Sequence, residues 1–207
     1  VILATGSDTL HLPGIPVDHV HILTSSDVLE LRHIPSRMII VGGGVIGTEL
    51  AFIFRAFGSK VTIVEGQDRI LPLPSIDRDI SNLLRREMKK CGIGLELGRT
   101  VRSCCVQQGY VKAELGPSPF LEKTCALGKE QQIEAECLVV AVGRVPRTSG
   151  LGLAEAGVQT DSRGYVQVNE CFETNVSGVY AIGDLLGPSK IMLAHVASAE
   201  GKAAIAT

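Results

Sequence analysis

Gly42, Gly44 and Gly47 stand at the spacing G-x-G-x-x-G inside "IIVGGGVIGTELA". At that spacing the first glycine permits a tight turn and the second lets the backbone approach a pyrophosphate. The third lets a helix pack closely on the preceding strand. A helix that opens there offers free N–H groups and the positive end of its dipole to an anion. The chemistry implied is phosphate binding by backbone at Gly44, Val45, Ile46 and Gly47. About 20 residues further on, where a ribose-binding acid is expected, Glu65 closes the apolar run "KVTIVE". A carboxylate in that place accepts both hydroxyls of an adenosine ribose and repels a 2′-phosphate. The pattern therefore favours NAD over NADP, and it outweighs Arg69, which lies nearby and could serve a 2′-phosphate. The plain alternatives are a glycine turn kept for packing and an acid that merely ends a strand.

Two further acids could do chemistry. Glu49 follows Gly47 on the first turns of the same helix, among Val45, Ile46, Leu50 and Ala51, and its two readings are an inward-facing carboxylate and an ordinary exposed helical one. A buried carboxylate needs a partner, and no lysine in the sequence is an obvious one. Asp184 follows Gly183 at the end of "VYAIGD", the third of three apolar runs that stop at a glycine. The others are "VILATG", ending at Gly6, and "LVVAVG", ending at Gly143. Ligands of open α/β sheets collect beyond the carboxyl ends of strands, which makes Asp184 a candidate for contact with a ligand. A simple turn cap is the alternative for Asp184.

These residues need particular elements beneath them. "SRMIIVGGGVIGTELAFIFRAFGSKVTIVEG" reads as strand, glycine turn, helix, strand, with the strand ending near Val41 and the helix running to about Phe57. Gly58 supplies the stop. A second helix is expected over Asp77 to Cys91, with Ile76, Ile80, Leu83, Leu84 and Met88 on its buried face by their 3.6-residue period. A short strand follows over Ile93 to Leu97. Weak alternation from Val101 to Glu136 predicts an antiparallel meander, and "LVVAVG" is the last strand of the unit. Beyond residue 150, "LGLAEAGV" predicts one or two helical turns, "YVQV" a short strand, and "TNVSGVYAIG" a turn entering a strand. A further helix opens near Leu193 to His195. Residues 7 to 35, with Pro13, Pro16 and Pro35, read as a connector.

Bulk properties narrow the function class. The 207 residues carry a formal net charge of −2 with no basic block, which argues against a nucleic-acid surface. No apolar run approaches the roughly 20 residues needed to span a membrane. Six cysteines, with no C-x-x-C pair and little histidine beside them, argue against a zinc site and predict reduced, mostly buried thiols in a cytoplasmic protein. Cys104 and Cys105 should point to opposite faces of a strand. The chain starts within an apparent strand, without Met, and stops within a helix-like segment. The expectation is a piece of a longer polypeptide.

Together, "IIVGGGVIGTELA", "VAVGRVPRT", "GVYAIGD" and "MLAHVASAEG" resemble the flavin-dependent pyridine nucleotide–disulfide oxidoreductases, and most closely those members that oxidise dihydrolipoamide. The likeness covers essentially the whole chain. It implies an α/β fold in which a Rossmann-type NAD-binding domain with a β-meander, residues 36–150, is inserted between two segments of a FAD-binding domain, residues 1–35 and 151–207. It implies that FAD and NAD are the cofactors. Gly42, Gly44, Val45, Ile46, Gly47, Glu65 and Gly143 would hold NAD, with Glu49 near its nicotinamide. Thr5 and Gly6 would pass near the flavin, and Asp184 beside Gly183 would bond a ribityl hydroxyl. Leu193, Ala194 and His195 would place a helix start at the flavin ring. The redox disulfide and the catalytic His–Glu pair of the family have no counterpart in this sequence, nor has the lysine that usually partners Glu49, so no catalytic residue and no metal ligand is assigned. The family usually has Asn where this chain has Arg147. The resemblance also implies a lipoyl domain of a 2-oxo-acid dehydrogenase complex as partner, and a homodimer formed through a C-terminal domain outside these residues. A mercuric or glutathione type of disulfide reductase, or a non-catalytic NAD(H)-binding module, are the other readings.

Overall fold

The computed structural model of the protein describes residues 1–121 and 130–206. In chain order its strands and helices are β1 (Ile2–Leu3), β2 (Ser7–Thr9), β3 (Ile22–Thr24), α1 (Ser25–Val28), β4 (Arg37–Val41), α2 (Val45–Ala56), β5 (Lys60–Glu65) and α3 (Arg78–Lys90). There follow β6 (Gly94–Leu97), β7 (Arg99–Gln107), β8 (Tyr110–Pro117), β9 (Gln131–Ala135), β10 (Cys137–Val140), β11 (Arg144–Pro146), β12 (Tyr180–Ala181), a 3-10 turn (Gly183–Leu186) and α4 (Ala194–Ala206). The chain divides into two compact units, Thr9–Gly143 and the combination of Val1–Asp8 with the residues from Arg144 onward.

The larger unit is built on a five-stranded sheet in the order β3-β10-β4-β5-β6, parallel throughout. Its strands are near-continuous apolar runs because both faces are covered. Met38 and Ile40 of β4 pack with Leu50, Ala51 and Phe54 of α2. Ile39 and Val41, pointing the other way, pack with Val111, Ala113 and Leu115 of β8. That second face is closed by the antiparallel meander β7-β8-β9, as the weak alternation predicts. Cys125, in the stretch between β8 and β9, lies outside the described residues.

Four expectations are corrected. The proline-containing segment before residue 36 is more than a connector, because it places β3 in the sheet beside β10. Thr24 and Asp27 then form a reciprocal capping box that starts α1. In α3, Met88 is buried and Leu84 packs against the core, but Ile80 and Leu83 are exposed. At about 100° per residue Leu83 sits roughly 140° round from Met88, so one packed face cannot take both. Nor are the thiols mostly buried. Cys91, Cys105 and Cys171 are exposed and Cys104 is half-buried. Only Cys137 among the described cysteines is inside, and burial pushes its thiol up to about 12. Finally, Glu49 is exposed on α2, because the helix turns Gly47, Thr48, Leu50 and Ala51 to the sheet instead.

In the smaller unit β1 pairs with β12 in parallel, and β2 pairs with β11. Val158, Val166, Ala181 and Leu186 form its core. "LGLAEAGV" makes a single turn, marked by the Ala156 N–H bond to the Gly152 carbonyl at 2.9 Å. "YVQV" supplies one bridge, Val166 to Thr160, in place of a strand. Among the described residues no helix is long and apolar enough to cross a membrane.

Candidate functional site

In the larger unit the glycine turn lies between β4 and α2 as expected, with Gly44 as the helix N-cap. Packing explains two of the three motif glycines. A Cβ on Gly42 would strike the backbone of Ala141, and a Cβ on Gly47 would strike the carbonyl of Gly42. Gly44 is different, for among the described residues no atom beyond its own chain neighbours lies within 4 Å of a Cβ placed there. The space beside it opens at the amino end of α2, where the first N–H groups lack intrahelical acceptors. Gly44 carries no side chain to cap them, and Thr48 turns its hydroxyl back to the carbonyls of Gly44 and Val45. A backbone cradle of this kind can accept an anionic group.

Glu65 ends β5 beside this cradle and is 8 % exposed. Its Oε2 accepts the Gly43 N–H at 2.6 Å, and its Oε1 accepts the Gln67 N–H at 2.7 Å. The carboxylate therefore ties the turn after β4 to the strand end of β5. Arg69 is directed elsewhere, its guanidinium donating to the carbonyls of Ile76 and Leu73 at 3.0 and 3.1 Å. Val45 and Glu49 are exposed on α2 and Ile46 is half-buried. Gly143, at the far end of the unit's sequence, is exposed with a φ of +143°.

In the smaller unit Asp184 sits in the 3-10 turn after β12. Its Oδ2 accepts a hydrogen bond from the Ser7 hydroxyl at 2.5 Å. Arg144 in turn donates through Nε to Ser7 Oγ and through Nη2 to the Ser7 carbonyl, both at 2.6 Å. The Arg144 Nε is also 3.6 Å from Asp184 Oδ2. One cation thus polarises the hydroxyl that holds the acid. The neighbouring Gly183 N–H is held by Oε2 of Glu200, at 2.7 Å, and Glu200 on α4 is 6 % exposed. Thr5 donates its hydroxyl to the Arg147 carbonyl, and the Arg147 N–H bonds the Gly6 carbonyl. Arg147 pairs with Asp8, which raises the guanidinium above its ordinary range. Leu193 lends its carbonyl to the Ala197 N–H, so α4 begins with Ala194 and His195 exposed at its amino end.

The sequence singled out Asp184 but not Ser7, Arg144 or Glu200. Ser7 and Arg144 are separated from each other by 137 positions, and nothing local marks either one. Glu200 carried a weak signal, a lone acid in the small-residue stretch "AHVASAEGKAAIA".

The chain and its fold have known counterparts. Residues 1–201 match the family described as pyridine nucleotide-disulphide oxidoreductase. The leghemoglobin reductase of Glycine max is 41% identical over 99% of this chain and 37% of its own length. The mitochondrial dihydrolipoyl dehydrogenase of Pisum sativum is 40% identical over 99% of this chain and 39% of its own length. Among solved structures, LpdA of Mycobacterium tuberculosis superposes with a TM-score of 0.84 and 29% identity, covering 99% of this chain and 41% of that one. The chain therefore spans about two fifths of the length of the relatives it matches.

Proposed function

This chain belongs to the pyridine nucleotide-disulphide oxidoreductase family, and from that premise we propose that it is the nucleotide-holding part of a FAD- and NAD-dependent dihydrolipoamide dehydrogenase. The larger unit is the NAD-binding domain and the smaller unit contributes to the FAD-binding domain. The observation that carries the reading is the open, side-chain-free approach at Gly44, with Glu65 fastened beside it at the end of the neighbouring strand.

The residues present fit both cofactors. A dinucleotide pyrophosphate would rest on the first N–H groups of α2, where the helix dipole and unpaired donors favour an anion. Glu65 uses one lone pair of each carboxylate oxygen on backbone N–H groups. The remaining lone pairs can accept ribose hydroxyls, and the same charge disfavours a 2′-phosphate. The commitment of Arg69 to loop carbonyls adds to the preference for NAD. On the smaller unit, Asp184 would accept a ribityl hydroxyl, oriented by Ser7 and Arg144. The start of α4, from Leu193 to His195, would present N–H groups to the flavin ring and favour negative charge there.

Bound flavin and NAD supply the hydride chemistry, and the protein supplies position and field. The exchange of dihydrolipoamide with a redox disulfide, and the acid–base pair that assists it, belong to residues other than these. Glu49, exposed on the second turn of α2, is proposed to reach the nicotinamide end. A lipoyl domain of a 2-oxo-acid dehydrogenase complex is the proposed protein substrate, and a homodimer the proposed assembly. The proposed setting is the cytoplasm.

The test uses the full-length protein with dihydrolipoamide and NAD⁺. Bleaching of bound flavin followed by NADH formation is expected. If the flavin is not reduced by dihydrolipoamide but is reduced when another disulfide substrate's thiol form is supplied, the mercuric or glutathione type of reductase replaces this reading. If the flavin is reduced and NAD⁺ is not, the acceptor assignment is wrong.

A further inference from the structure

Phe120 is an exposed aromatic ring beside the strand end that carries Glu65. Its exposure is 66 %, although phenylalanine is among the residues most often buried. Aromatic residues make up only 4% of the sequence, and Phe120 is one of two exposed phenylalanines, the other being Phe57 at the end of α2. The ring lies against Gly66, the residue after Glu65. A Cβ on Gly66 would come within 2.9 Å of Cδ2 and 3.2 Å of Cε2, so the absent side chain makes room for the ring.

The turn that carries the ring is tied back to Glu65 by an unbroken series of hydrogen bonds. The Phe120 N–H donates to Ser118 Oγ at 3.2 Å. The Ser118 N–H donates to the Gly98 carbonyl, and the Gly98 N–H to the Gln67 carbonyl, each at 2.9 Å. The Gln67 N–H then donates to Glu65 Oε1. Ser118 is buried, which makes this anchoring stiff. The ring is thus presented at the carboxyl edge of the sheet, one residue from the acid proposed to hold the adenosine ribose.

We propose that Phe120 is the stacking platform for the adenine ring of the bound dinucleotide. This rests on the reading of the glycine turn and Glu65 as a nucleotide site, and deepens it by assigning the base subsite. A base attached to a ribose held at Glu65 lies within one base length of that carboxylate, which is where the ring stands. Stacking uses the π-face that every base has, so the subsite accepts a purine by shape and needs no hydrogen-bond readout. The partner class is an adenine dinucleotide or its ADP-ribose half.

The test is equilibrium titration of the chain with NADH and with ADP-ribose, alongside thermal melting. Phe120→Ala should weaken both ligands by a similar factor, about 5- to 100-fold, while Phe120→Tyr stays near the wild type. Phe120→Leu, which keeps apolar bulk but loses the π-face, should also weaken binding without lowering the melting temperature. The sequence holds no tryptophan, so Phe120→Trp introduces a reporter whose fluorescence should be quenched by ADP-ribose. If the wild type binds neither ligand, the nucleotide-site reading itself fails. If the wild type binds and Phe120→Leu binds equally well, or the indole fluorescence of the Phe120→Trp variant ignores ADP-ribose, the stacking assignment is overturned and the nucleotide site stands without it.

Discussion

Replacing Glu65 by Ala removes the acceptor of two backbone N–H groups, and the structure separates their costs. Gly43 is buried, so water cannot replace the 2.6 Å bond that its N–H makes to the carboxylate. An unmade bond of that kind costs about 1–3 kcal/mol. Gln67 is half-buried, and water recovers most of its bond, leaving a loss of about 0.5–1 kcal/mol. The variant should therefore lose about 3 kcal/mol of stability. For a unit of this size that lowers the melting temperature by about 10 °C. NADH affinity should fall with it, by about 10- to 100-fold, since hydrogen bonds from ribose hydroxyls to a charged group contribute about 1.5–3 kcal/mol. Glu65→Gln separates the two roles. It keeps one oxygen acceptor, so the stability loss should be about half as large, and it removes the charge that disfavours a 2′-phosphate, so the preference for NADH over NADPH should shrink. Urea unfolding and paired NADH and NADPH titrations read both effects. An Ala variant within about 0.5 kcal/mol of wild type would refute the claim that the carboxylate holds the turn. An unchanged NADH-to-NADPH ratio in the Gln variant would refute the ribose assignment.

The glycine motif predicts a contrast between neighbours. Gly44→Ala meets no atom of the described residues within 4 Å beyond its own chain neighbours and should keep the fold to within about 1 kcal/mol, yet weaken NADH by obstructing the pyrophosphate. Gly47→Ala places its methyl against the Gly42 carbonyl and should cost about 3 kcal/mol or more, seen as a lower urea midpoint before any ligand is added. For pH, Glu136 is held below its ordinary value of 4.5 chiefly by the Ser36 N–H, with the Ser36 hydroxyl and His33 helping against burial. Because the folded form takes up its proton only at lower pH than the unfolded chain does, this stabilisation is complete above 4.5 and is lost as pH falls through the lower folded value. Glu136→Gln should flatten the acid limb of a stability–pH curve below 4.5, and a limb of unchanged slope would show that the carboxylate is not the group responsible.

The local skeleton was legible in the sequence because each of its signals acts within a few residues. The strand ending at Val41, the turn at Gly42 to Gly44 and the helix opening at Val45 follow from an apolar run meeting glycines, then a helical period. Asp77 caps α3 through the Asp79 N–H, close to the expected start, and the helix stops one residue before Cys91. Hydrophobic period, capping and glycine stops are short-range, so one sequence carries them completely. The direction of an apolar face is another matter. Ile80 and Leu83 fit the helical period, but only the sheet beneath α3 decides which side is covered, and it covers Met88. The inward turn expected of Glu49 failed for the same reason, since α2 rotates Gly47 and Thr48 to the sheet. The contacts that shape both candidate sites span long stretches of chain. Ser7 meets Asp184 across 177 positions, Arg144 meets Ser7 across 137, and Glu65 meets Gly43 across 22. Such meetings depend on strand order and register, which emerge only when separate apolar runs pack together into one sheet. Amino-acid order determined the strand–turn–helix skeleton around the glycine motif and where α2 and α3 stop; tertiary packing decided whether short segments such as β3 join a sheet and which distant polar groups face one another.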